Sequence, residues 1–263
     1  MGERKTYHRG RRKKKKGGII STLILIIAIA VFCVSGYQLY KIFGGYHQGK
    51  SEYDKVREVA VHGDDKDEDG FVVDFDELKK INADTVGWIR FYPEPSQISY
   101  PLVQTTDNDL YLNRTFSANE NTVGAIFVNC DNASDFSDRN TIIYGHRMRD
   151  HSMFHDLEKY KDESFWKENP YFYIYTPDGR KLTCHIYSAG IVKDTSSTYL
   201  TQFASDEEYQ AFLDDTKRAG AYHTGVEVTA DQRVVTLSTC TAASDDNRMV
   251  VRGVIESEDV VKK

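Results

Sequence analysis

The stretch RVVTLSTC, residues 233–240, reads as a β-strand that delivers a cysteine to its last position. Side chains alternate between the faces of a strand, so Val235, Leu237 and Thr239 point one way while Thr236, Ser238 and Cys240 point the other. The first set is core-like. The second is a polar row that ends on a thiol, just before the polar run TAASDDN at 241–247. A free cysteine is more often a buried, inert hydrophobe than a nucleophile. The polar company of Cys240 predicts the other fate, a thiol exposed at the end of a groove, with Leu237, Ser238 and Thr239 as the residues expected to meet a substrate.

A thiol attacks only as thiolate, and an unassisted one is mostly protonated at neutral pH, so a nucleophilic cysteine needs an imidazole or a cation beside it. Eight histidines are present, and His146 stands apart because it closes the β-branched run NTIIYGH (140–146), where another strand ends. The rest fall in the basic tail (His8), in spacers (His47, His62), on helices or loops (His151, His155, His223) or in mid-strand (His185). A third piece follows the cysteine: Arg248 opens the strand-like run RMVVRGVI, 248–255. If 233–240 and 248–255 pair as antiparallel neighbours, Arg248 lies across from Cys240 and Arg252 near Thr236, roughly 13 Å farther along. Arg248 is then the guanidinium within reach of chemistry at the thiol, while Arg252 is expected to meet substrate upstream or solvent.

Taken together, TLSTC (236–240), YGH (144–146) and Arg248 resemble the sortases, the cysteine transpeptidases of Gram-positive bacterial surfaces, and most closely their class B branch. TVGWI (85–89), YPLVQ (100–104), DLYLNRTF (109–116), GAIFVN (124–129) and NTIIYGHRM (140–148) follow in that branch's order. So does a long insert between Lys193 and Val226 that reads as containing a helix. The resemblance covers roughly residues 71–255. It implies a mostly β fold, an eight-stranded barrel with N-terminal helices and a helix inserted before the catalytic strand. It also implies Cys240 as nucleophile, His146 as acid and base, Arg248 as oxyanion partner, and no cofactor.

Nine of the first sixteen residues are Lys or Arg with a single Glu, although the whole chain carries −6. The basic end therefore sits on an otherwise acidic molecule. Such a tail can signal nucleic acid, but residues 17–40 are free of charge and 19–34 almost wholly apolar. At ~1.5 Å per residue the span 19–40 reaches ~33 Å, enough to cross a bilayer. The tail then reads as a positive-inside flank. No small-x-small cleavage site follows, so an uncleaved anchor is expected. The organisation expected is a cytoplasmic tail (1–18), a transmembrane anchor (19–40), an extracellular spacer with a possible helix (41–70) loosened by Gly44, Gly45 and Gly49, the barrel (71–257) and a short tail (258–263).

Strand-like runs dominate the barrel region: VGWIRFY, ISYPLVQ, GAIFVN, NTIIYGH, YFYIYT, KLTCHIYSAGIV, RVVTLSTC and RMVVRGVI. Helical interruptions are expected at NDLYLNRTF, HSMFHDLEKY and SDEEYQAFLDDTKRAG, and DFDELKKI (74–81) reads as a short helix. Asp65, Asp67, Asp69, Gly70, Val72 and Asp76 match positions of a calcium loop, but the twelfth position is Asp where a bidentate Glu is needed, and an acidic linker is the simpler reading. His151 and His155 would share a helical face, without the Glu of a zinc-protease motif; a solvated helix is preferred and no metal is assigned. Of the cysteines outside the apolar span, Cys184 reads as core and Cys130 as a strand end or loop, with no disulfide expected between them. Phosphate-binding glycine loops are absent from the sequence, which implies no nucleotide.

By resemblance, the groove would bind a sorting signal near the carboxyl end of a secreted protein, of the Asn-Pro-x-Thr-Asn/Gly or Pro-x-Thr-Gly type. A peptidoglycan-precursor amine would resolve the thioester, nucleic acid would play no part, and the enzyme would sit in the cell membrane with its catalytic domain outside. The same scaffold could polymerise pilins through a subunit lysine, or serve as a catalytically inactive surface binding protein. L,D-transpeptidases, which also use Cys and His, expect a Ser-x-Gly-Cys context that STC at 238–240 does not supply.

Overall fold

The computed structural model describes residues 17–63, 70–242, 244 and 246–261. The basic tail and the Asp65, Asp67 and Asp69 positions of the calcium-like loop lie outside the described residues. The chain divides after Gly44 into two units. Helix α1, Gly17–Ala60, contains an 18-residue apolar window of mean hydropathy 2.4, none of it buried, and is long and apolar enough to cross a bilayer.

Within the second unit, residues 45–60 are helical, and Gly45 and Gly49 serve packing rather than loosening the chain. Gly49 faces Val123 so closely that an added Cβ would lie 3.0 Å from Val123 Cγ2, and the Gly45 carbonyl accepts from Asn121 Nδ2 at 2.9 Å. The missing side chains let the helix close on the barrel. Tyr53, Val56 and Ala60, spaced as one helical stripe, are buried on that side.

Strands β1 (Val61–His62) and β2 (Val72–Val73) make a small pair. Helix α2 (Phe75–Ile81) starts where Asp74 accepts from the Glu77 amide at 2.9 Å, an N-cap. Then come β3 (Thr85–Phe91), β4 (Ser99–Val103), β5 (Ile126–Val128), β6 (Asn140–Tyr144), helix α3 (Glu163–Glu168), β7 (Tyr171–Tyr175), β8 (Arg180–Lys193), helix α4 (Asp206–Arg218), β9 (Val234–Cys240) and β10 (Asn247–Val260). The eight strands β3 to β10 close into a barrel in the order β10-β8-β7-β3-β4-β5-β6-β9. They are the eight read from the sequence, and the fold is the expected mostly β barrel. Strand β10 outruns its expected end: Val260 still pairs with Arg180, so 258–260 are strand where a tail was assigned.

Inward alternation fills the interior, with Ile89, Leu102, Ile126, Ile143, Leu182, Leu237, Met249 and Val251 all buried in one cluster. A second cluster lies under α4, the helix expected in the insert, where Tyr209, Phe212 and Leu213 pack on Tyr187, Val234 and Val254. Each such side chain contributes about 1.5–3 kcal/mol by burial. The stretch HSMFHDLEKY is not a solvated helix. It is a loop with positive φ at His151 (66°) and Met153 (58°), followed by a 3-10 segment over His155–Lys161. The turn is held from outside, by Phe154 N donating to His146 O at 2.9 Å and Met153 N donating to the Tyr100 hydroxyl at 3.1 Å.

Candidate active site

Strands β6 and β9 are parallel neighbours, with Ile143 opposite Leu237 and Tyr144 opposite Ser238. Two residues beyond that last pair, on the same rim, come His146 and Cys240. Gly145 N donates to Ser238 O at 3.1 Å and carries the pairing one step further. The hairpin partner β10 places Arg248 directly across from Cys240 and Arg252 across from Thr236, the register expected. All three residues line one cleft, together with Asn108, Leu112, Phe127, Tyr144, Gly145, Ser238 and Thr239. Cys240 is exposed, and His146 and Arg248 are half-buried.

The imidazole is oriented by backbone. His146 Nε2 lies 2.6 Å from the Leu112 carbonyl, which can only accept, so in the neutral ring Nε2 carries the proton and Nδ1 keeps the lone pair. The ring also packs on Gly124, whose φ of +67° suits a glycine. Behind the ring, a Cβ at Gly145 would stand 2.6 Å from Phe154, so this glycine lets the strand end lie flat on that side chain. The Arg248 guanidinium donates to Asn247 O at 3.1 Å and sits 3.6 Å from the Asp194 carboxylate at the start of the insert.

Three expectations need correction. Arg252 meets neither substrate nor solvent: it is fully buried, donating to Ser188 Oγ at 3.1 Å and Thr198 Oγ1 at 2.7 Å. The polar row of β9 is not an open groove either, because the first turn of the insert roofs it. Thr236 Oγ1 bonds Asn140 Oδ1 at 2.8 Å, Asn140 Nδ2 donates to Thr198 O and Leu200 O, and Ser238 Oγ meets the Tyr199 hydroxyl at 2.9 Å. Only Cys240, past the edge of that roof, is exposed. Leu237 is wholly buried in the core and does not line the cleft, whereas Ser238 and Thr239 do.

The other candidates fall outside the cleft. His151 and His155 approach with ring centroids 4.1 Å apart and Asp156 beside them. Asp156 is nearly buried rather than solvated, and its second oxygen is already paired with Lys159 at 2.9 Å. His185 bonds Glu256 at 2.6 Å. Cys184 is a free thiol in the core, and burial pushes its pKa up; Cys130 is a free thiol in the turn after β5. Sequence reasoning missed Asn108, whose Oδ1 accepts from Cys130 N at 2.9 Å, and Leu112, which acts through its carbonyl.

A family model described as the sortase domain matches residues 94–256. The chain belongs to the sortase family. Sortase B of Staphylococcus aureus is 31% identical over 231 residues, spanning 88% of this chain and 93% of that protein. Sortase B of Listeria monocytogenes is 32% identical over 240 residues, spanning 87% and 93%. Among solved structures, sortase B of Bacillus anthracis in complex with AAEK1 superposes with a TM-score of 0.71 at 33% identity, covering 84% of this chain and all of that one. The protein is thus a cysteine transpeptidase of sortase type, similar to those of class B, and sortases act at the cell surface.

Proposed function

We propose that this sortase is anchored in the membrane by α1, with its basic end in the cytoplasm and the barrel outside, and joins secreted proteins carrying a carboxyl-terminal Pro-x-Thr sorting signal to a cell-wall amine. Cys240 thiolate adds to the threonine carbonyl. The tetrahedral oxyanion is met by the Arg248 guanidinium and nearby backbone amides. Nδ1 of His146 has taken up the thiol proton, which leaves an imidazolium beside the thiolate; it passes that proton to the departing amine, the carbon–nitrogen bond breaks and a thioester remains. An incoming amine then loses a proton to the same nitrogen, attacks the thioester and frees the thiolate. The Leu112 carbonyl serves both steps by holding the ring still while the proton comes and goes.

One observation carries this reading. Three separate elements, the ends of β6 and β9 and the start of β10, bring an imidazole, a thiol and a guanidinium to one cleft. The test is to incubate the full chain in detergent with a library of Pro-x-Thr peptides and identify cleavage products and adducts by mass spectrometry. A thioester at Cys240 is expected, absent in Cys240→Ala, with turnover lowered at least ~10²-fold in His146→Ala. Retained turnover in Cys240→Ala would sink the reading.

A further inference from the structure

We infer that Tyr53, on α1 rather than on the barrel, is a positioning residue for His146, an inference that rests on His146 being the acid–base group proposed above. The Tyr53 hydroxyl donates to Gly124 O at 2.7 Å and accepts from Phe116 N at 3.2 Å. Those two backbone groups belong to opposite limbs of one segment, residues 109–125, which doubles back through Asn121 N to Asn113 O and Ala125 N to Tyr111 O, both 2.9 Å. The outgoing limb carries the Leu112 carbonyl that holds Nε2. The returning limb carries Gly124, where a Cβ would stand 2.7 Å from His146 Cδ2 and 3.0 Å from Leu112 O. The imidazole is therefore seated between a carbonyl of one limb and the bare Cα of the other, and a single phenol oxygen pins both.

A packing role alone would not need that oxygen. A phenylalanine would fill the same space and keep the edge-to-face contact with Tyr100, 5.3 Å between centroids. What the hydroxyl adds is the spacing of the two limbs. Burial holds the Tyr53 phenol well above its ordinary pKa, so it remains a donor across the working range. The neighbouring Glu52 fastens the tip of the same segment, accepting from Ser117 N at 3.0 Å and Asn119 Nδ2 at 3.1 Å. Behind the ring, the Tyr100 hydroxyl holds Met153 N in the loop that returns to His146 O. The helix thus reaches the cleft through hydrogen bonds, not only through buried area.

The experiment compares Tyr53→Phe with the parent as full chains in detergent, reading peptide-cleavage kinetics and, with ¹⁵N-labelled histidine, the tautomer signature of His146. We expect kcat to fall about tenfold with KM nearly unchanged, since a shift of ~1 Å can cost 10²-fold and loss of one pin allows part of that. The Nε2–H signature should weaken. Tyr187→Phe, which loses a buried contact to Thr216 Oγ1 (3.0 Å) away from the cleft, should lower Tm without altering kcat or the signature. A Tyr53→Phe enzyme with parental kcat and an unchanged His146 signature overturns the inference. His146→Ala runs in parallel: if it retains turnover, the acid–base reading fails, whereas loss there with a silent Tyr53→Phe refutes only the positioning role.

Discussion

Replacing Gly124 by alanine tests the seat of His146 from inside the barrel. The new methyl carbon would lie 2.7 Å from His146 Cδ2, 2.8 Å from Tyr111 O and 3.0 Å from Leu112 O. Carbon atoms rest at about 3.5–4.0 Å, so contact with the ring alone demands a displacement of roughly 1 Å. The imidazole can swing away from the methyl, whereas the contact with Tyr111 O can be relieved only by a shift of the backbone limb that also carries the Leu112 carbonyl, so both partners of the ring are disturbed. A misplacement of that size costs about 10²-fold in rate. The backbone at φ +67° adds about 1–2 kcal/mol of destabilisation for a residue with a Cβ. In a domain of this size the backbone conformation alone lowers Tm by a few degrees, and the contact with Tyr111 O adds to that, so rates are compared at a temperature where the melts show the variant folded. Initial rates of peptide cleavage, paired with thermal melts, separate the two effects. A folded Gly124→Ala enzyme working within threefold of the parent would refute the claim that this contact sets the imidazole.

The two arginines of β10 should part company. Arg248→Ala is expected to lower turnover by about 10²–10³-fold at near-parental Tm, the loss typical of an oxyanion donor, and Arg248→Lys should recover little because an ammonium lacks the planar fork. Arg252→Ala, which empties a fully buried site and strands Thr198 Oγ1, should instead cost about 3 kcal/mol of stability while the folded fraction keeps most of its rate; melts and rates in the opposite order would overturn the assignment. Iodoacetamide should alkylate Cys240 in the native protein and reach Cys184 only after denaturation, as mass mapping of the labelled thiols will show. Native labelling of Cys184 would contradict its place in the core.

Much of the barrel was legible because its strands obey the period-two rule in isolation: Val235 and Leu237 go inward, and Met249 and Val251 do the same across the hairpin. The Cys240–Arg248 register followed from a short connection between two such strands. What stayed hidden was whatever depends on a distant segment. The face of Thr236 and Ser238 looked like a groove because alternation shows which face is polar, not what covers it, and the cover comes from Thr198 and Tyr199 in a 3-10 turn with no periodic signature. Arg252 was misplaced for the same reason. The Leu112 carbonyl had no residue-type signal, being a backbone atom. Helical spacing at 151–160 failed because His151 and Met153 take positive φ, in a loop whose amides go to distant partners, Met153 N to the Tyr100 hydroxyl and Phe154 N to His146 O.

The parallel pairing of β6 with β9 has a bearing on when the enzyme can first work. Parallel neighbours cannot be joined by a tight turn, and here β7, β8 and α4 all intervene before the strand that ends in the thiol. The guanidinium arrives later still, on β10, which must slot between β8 and β9 to close the ring. Pairings so distant along the chain are the slow steps of folding. A partly folded molecule therefore holds an imidazole without a thiol beside it, or a thiol without its arginine. Chemical competence becomes a property of the closed ring, the arrangement in which all three groups line one cleft.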